Sequence, residues 1–190
     1  MSLLVLGLVL FLGIHSVSIL APAWRDGQVA RRGERPWKGI YSVASIVGFV
    51  LLIYGYGIAR QSPVVLYTPP HWMHHVTLLL MLPVFPLLLA AYLPGRIKAA
   101  TKHPMLAAVK LWAFAHLLAN GTLADVLLFG GFLVWAVADR ISLKRRPARP
   151  LPDAPRRPMN DVIAVVGGLA LYALFVARAH QWLTGVSPLG

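Results

Sequence analysis

The chain has 190 residues, of which 58% are hydrophobic and only 13% charged, and its mean hydropathy is +0.68. That balance excludes an ordinary water-soluble domain. The formal charge of +12 does not indicate nucleic acid either, because the basic residues sit between apolar runs and not on one polar, aromatic-interleaved face.

A membrane-crossing helix needs about 20 largely apolar residues to span roughly 30 Å of hydrocarbon. In chain order, such stretches are expected at about 3–21, 39–59, 74–93, 103–119, 122–137 and 162–183. They predict an all-α fold, a polytopic transmembrane bundle of about six helices built as a single domain over 1–190. Pro83 and Pro86 fall inside the third stretch and should kink it. The segment 143–158 is rich in proline and arginine and reads as a flexible basic linker.

The connections carry their charge in alternation. The first holds Arg25, Arg31, Arg32, Arg35 and Lys38, the third Arg96, Lys98 and Lys102, and the fifth a run from Arg140 to Arg157. The second and fourth are almost free of basic residues. This positive-inside pattern places the basic connections, the 143–158 linker among them, in the cytoplasm. Both termini are then periplasmic, and the protein is expected in a bacterial inner membrane. Trp24, Trp37, Trp72 and Trp182 lie near span ends, as an interfacial aromatic belt requires. No basic residue precedes the first apolar run and five follow it, so an uncleaved first helix is expected, not a signal peptide. Membrane lipid is the expected partner.

Ionisable side chains inside a span are costly, which singles out His15, Lys110 and His116. Trp112 lies one turn before His116 and Asn120 one turn after, forming one stripe with it. The chain has no cysteine, so imidazole is its natural soft-metal ligand. Each histidine has two readings, a hydrogen bond to a neighbouring helix or ligation of a metal. No compact zinc motif is present, and a haem, which takes ligands from separate helices, suits such spacing better. Counted at roughly 1.5 Å per residue, His116 sits about 10 Å nearer the outer face than His15. His74 and His75 match the depth of His116 better and are alternative ligands. Lys110 either snorkels to the interface or pairs with an anion such as a haem propionate or Asp125.

From Lys102 to Gly121 the chain reads Lys-His-Pro, then Leu111-Trp112, Ala115-His116 and Ala119-Asn120-Gly121. With His15-Ser16, Tyr41-Ser42 and Asp139-Arg140, this order resembles the NnrU family over nearly the whole chain. That family is linked to denitrification, around nitrite and nitric oxide metabolism. It is similar to 15-cis-zeta-carotene isomerase, a membrane enzyme with haem b held by two histidines. Carried over by motif, the resemblance implies haem b as cofactor and His15 and His116 as iron ligands; Lys110, Trp112 and Asn120, on the same stretch as His116, are then expected around the cofactor. It implies a haem-dependent cis-trans isomerase of an apolar polyene or other hydrophobic substrate, or a redox role. A non-catalytic membrane subunit or assembly factor for nitrogen-oxide respiration is the alternative. A more distant similarity is to isoprenylcysteine carboxyl methyltransferase; Lys102 replaces the arginine of its Arg-His-Pro motif, and its glutamate-rich cofactor segment is missing.

Overall fold

The computed structural model describes residues 1–146 and 154–189. The regular elements among them are helical; the one β-type contact is an isolated antiparallel bridge between Val65 and Thr122. The described chain divides into two compact units, residues 1–67 with 122–144, and residues 68–121 with 145–190.

The first unit holds α1 (Ser2–Leu20), α2 (Pro22–Arg32), α3 (Glu34–Ala59) and α8 (Leu123–Ser142). Between lipid-soluble helices there is little hydrophobic drive, so association depends on how closely their backbones approach. Here glycine supplies the approach. A Cβ on Gly7 would collide with the backbone of Leu51 and Leu52, one on Gly48 with that of Phe11, and one on Gly55 with that of Leu3 and Leu4. Contacts that step forward along α1 step backward along α3, so the two helices are antiparallel.

The first basic connection is not a loop. Pro22 starts α2 at a position where its missing N–H costs nothing, and α2 ends at Gly33, whose φ of 86° a side chain would strain. The helix after it begins at Glu34, earlier than the expected 39, because Pro36 still falls within the first turn. The edge of Trp24 meets Trp37 at 5.8 Å, and Trp37 is buried.

At the other end of this unit, Thr122 caps α8. Its hydroxyl accepts from the Asp125 N–H, and the Asp125 carboxylate accepts from the Thr122 N–H at 2.9 Å. The Tyr56 hydroxyl donates to the second Asp125 oxygen at 2.5 Å, so a buried carboxylate ties α3 to α8. The segment after α3 is anchored there too, since the Leu123 N–H donates to the Val64 carbonyl at 2.8 Å.

The second unit holds α4 (Met73–Met81), α5 (Val84–Ala90), α6 (Arg96–Thr101), α7 (Pro104–Ala119), α9 (Asn160–Leu174), a π-helical turn (Phe175–Ala179) and α10 (His180–Thr184). The expected kink is a break between α4 and α5. Pro83 offers no N–H, and the Leu82 N–H turns to the Leu79 carbonyl at 3.3 Å. The Leu78 carbonyl is taken up from outside, by the Tyr172 hydroxyl of α9 at 2.9 Å. Beside that bond Gly168 lets α9 reach the backbone of Pro86, where a Cβ would collide. The Thr77 hydroxyl donates to the Ala115 carbonyl at 2.9 Å and joins α4 to α7.

The start of α9 is locked to α6. The Asp161 carboxylate accepts from the N–H groups of Arg96 and Ile97 at 2.7 and 3.1 Å, a cap supplied from 65 residues away. Buried Asn160 donates to the carbonyls of Pro94 and Pro155. Within the predicted linker, residues 147–153 lie outside the described residues. Its far end is tied down, since the Ala154 N–H donates to the Tyr92 carbonyl at 3.1 Å.

Among the described residues, four helices are long and apolar enough to cross a membrane: Ser2–Leu20, Glu34–Ala59, Met73–Ala90 across its break, and Asn160–Thr184. The other two expected spans appear as α7, with 16 residues, and α8, which carries Asp125, Asp139 and Arg140. Large side chains such as Val9, Val134 and Leu174 are 66%, 70% and 58% exposed, the surface of a chain that meets lipid.

Candidate functional site

His15 lies on α1 in the first unit. Its Nδ1–H donates to the Phe11 carbonyl at 2.7 Å, and Ser16 repeats the pattern toward the Leu12 carbonyl at 2.7 Å. A carbonyl can only accept, so the bond puts the proton on Nδ1 and the ring lone pair on Nε2. Three aromatic rings surround the imidazole: Phe11 at 4.3 Å, Tyr41 edge-on at 5.2 Å and Trp135 perpendicular at 5.9 Å. The Trp135 indole N–H is buried with no acceptor among the described residues.

His116 lies on α7 in the second unit and repeats the device. Its Nδ1–H donates to the Trp112 carbonyl at 2.8 Å, and the Trp112 ring stands 5.4 Å from its own. The Asn120 side-chain amide donates to the His116 carbonyl at 2.8 Å and closes the end of α7. Trp112, His116 and Asn120 therefore form the single stripe that their spacing implied. The His180 ring also stands beside His116, 6.5 Å away centre to centre and stacked at 26° from parallel.

The other expected site residues are placed as follows. His74 and His75 are exposed at the start of α4, and the His74 ring meets His71 edge-on at 5.5 Å. Lys110 is half-buried on α7. Asp125, its suggested counter-ion, is held within the first unit by Tyr56 and Thr122. His180 was not singled out from sequence, although it lies inside the sixth apolar stretch and carries the same cost that marked His15 and His116. The clustering of Trp135 on His15 leaves no sequence signal, because 120 residues separate them and no spacing rule connects them.

Among the described residues no group of three or more His, Asp or Glu side chains is placed to hold a metal ion. A metal carried by a macrocycle is a different case, since a porphyrin supplies four nitrogens and asks the protein for one or two. Imidazoles with Nδ1 fixed on a carbonyl fit that demand.

These features define an all-helical membrane protein with imidazoles fixed on its apolar helices. The family model described as NnrU protein matches residues 3–188, and the chain belongs to the NnrU family. No curated protein and no solved structure matches the chain.

Proposed function

We propose that the protein is a membrane haem b protein in which His116 is an axial ligand to the iron. The observation that carries this reading is the hydrogen bond from His116 Nδ1 to the Trp112 carbonyl, which fixes the ring through Nδ1 as the ring of a metal-ligating histidine is fixed. The helix-end cap from Asn120 fixes the same turn. By the family resemblance His15 would supply the second imidazole; its ring has the same tautomer, beside the buried indole N–H of Trp135.

A haem held by imidazole would supply a redox-active iron, which could serve isomerisation of an apolar polyene, nitric oxide sensing or electron transfer alike. The protein's own contribution is to fix the imidazole tautomers and to surround them with apolar and aromatic side chains that exclude water. The family's link to nitrite and nitric oxide metabolism makes denitrification the physiological setting we propose, in the bacterial inner membrane. Lys110, half-buried on the same helix as His116, is proposed to lie near the anionic edge of the cofactor.

The test is the visible spectrum of detergent-purified protein produced with ample haem. A Soret band that His116→Ala abolishes or shifts is the expected result. A wild-type protein that binds no haem, together with a correctly folded His116→Ala variant, removes the reading and leaves a non-catalytic membrane subunit whose histidines only pack.

A further inference from the structure

The segment that joins α1 to α3 is shaped beyond what orientation in a bilayer asks of it. Both helices are long and apolar enough to cross a membrane, and they run antiparallel, so the joining segment lies at a membrane face. A connection that only marked one side of the bilayer would need basic residues in any conformation. Residues Pro22–Arg32 instead form the helix α2, which closes at Gly33, where the N–H donates to the Val29 carbonyl at 2.9 Å.

The protein alone does not account for this helix. An isolated helix shorter than about 12 to 15 residues is marginal in water, and α2 has 11, with Gly27 in its middle. No residue of α2 is buried, so a core does not support it either. Trp24 meets Trp37 edge-on yet stays 55% exposed, and Leu20, where α1 ends, is 81% exposed. An exposed indole at the end of a span belongs to the bilayer interface, and an amphipathic helix rich in arginine beside it is the kind that lies in the interface plane.

The charges of this segment are divided unevenly. Residues 22–38 carry five cations and two carboxylates. Both carboxylates are engaged, Asp26 by Arg25 at 2.9 Å and Glu34 by Lys38 at 2.8 Å. Arg31, Arg32 and Arg35 are exposed and have no ion pair among the described residues. Three guanidinium groups therefore stand on either side of the Gly33 turn with their charge unanswered. Each presents a fork of N–H donors that matches two oxygens of a phosphate.

From this arrangement we infer that α2 and the Gly33 turn form a docking surface for anionic glycerophospholipid, with Arg31, Arg32 and Arg35 on the lipid phosphates and Trp24 in the interface. A free phosphate ion would satisfy the guanidinium groups and leave the exposed Trp24 and Leu20 unexplained. A lipid accounts for both. The surface lies within the first unit and is independent of the haem reading.

The experiment uses the full chain reconstituted in phosphatidylcholine bilayers. The immobilised fraction of spin-labelled lipid gives the preference of the protein for phosphatidylglycerol over phosphatidylcholine. The wild type should select phosphatidylglycerol. Arg31→Gln, Arg32→Gln and Arg35→Gln together should lower the ratio about fivefold, which is the contribution of even one basic residue close to an anionic surface. Removing as many cations from the fifth connection, by Arg145→Gln, Arg156→Gln and Arg157→Gln, should leave most of the preference in place. About 1 M sodium chloride should abolish it in the wild type, an outcome that requires no variant to fold. Equal losses in the two triple variants would assign the effect to net charge and overturn the docking surface, as would a preference that survives high salt. A wild type without any preference overturns it too, and leaves α2 to an acidic protein segment or a second copy of the chain.

Discussion

In the first unit α1 and α3 run unbroken and meet backbone to backbone through Gly7, Gly48 and Gly55, whereas in the second unit both long apolar stretches are interrupted, one at Pro83 and one by the π turn before His180. The regular pair satisfies its polar backbone internally and needs no outside help. The break at Pro83 releases backbone groups, and a side chain of a neighbouring element collects one of them, as Tyr172 does at Leu78. In hydrocarbon an uncollected group costs several kcal/mol, so interruptions survive only where their geometry is required. The contrast separates a unit built for close packing from one in which the backbone is spent on aiming side chains.

The contrast is broken most severely at the glycine contacts. Gly55→Leu would drive a side chain into the backbone of Leu3 and Leu4, and no rotamer relieves a clash that begins at Cβ. A loss of about 3 kcal/mol is expected, enough to separate α1 from α3, and thermal unfolding in detergent micelles measures it. Gly57→Leu is the control on the same helix, since a Cβ there meets nothing within 4 Å. Equal losses from the two would mean that the close approach does not hold the unit together.

The Asp125 site ranks next, because one carboxylate serves as helix cap and as inter-helix acceptor. Asp125→Ala removes the capping box and leaves the Tyr56 hydroxyl without this acceptor, which together should cost about 2 to 3 kcal/mol. Tyr56→Phe removes only the cross-helix bond and should cost about 1 kcal/mol. The same unfolding assay ranks them, and a Tyr56→Phe loss as large as that of Asp125→Ala would show that the cap contributes nothing.

Much of this was legible from residue order. Long apolar runs announced the helices, and Pro83 and Pro86 announced the break. The cost of burial singled out His15 and His116, but their bonds to the Phe11 and Trp112 carbonyls left no mark in the sequence, since every helical residue has a carbonyl four positions before it. The amphipathic α2 was hidden because its charges read as loop, and the early start of α3 because Pro36 looked like a barrier when the first helical turn tolerates it. The tie between Tyr56 and Asp125 spans 69 residues and belongs to packing alone. The π turn carries no signature in Phe175–Ala179, so the direction of His180 could not be read even though its presence inside an apolar stretch could.

The smallest effect probes the broken helix itself. Tyr172→Phe deletes the hydroxyl that serves the Leu78 carbonyl and should cost about 1 kcal/mol in the wild type. In a Pro83→Ala background residue 83 regains an N–H for the Leu79 carbonyl, and the Leu82 N–H can return to Leu78. The Tyr172 hydroxyl then becomes a second donor to a carbonyl already served. Tyr172→Phe should accordingly cost less in that background, with a coupling of about 0.6 kcal/mol, the usual scale of such bonds between membrane helices. A double-mutant cycle on thermal unfolding reads the difference. Zero coupling would mean that the tyrosine does not compensate the proline, and the second unit would have to satisfy its interrupted backbone by other means.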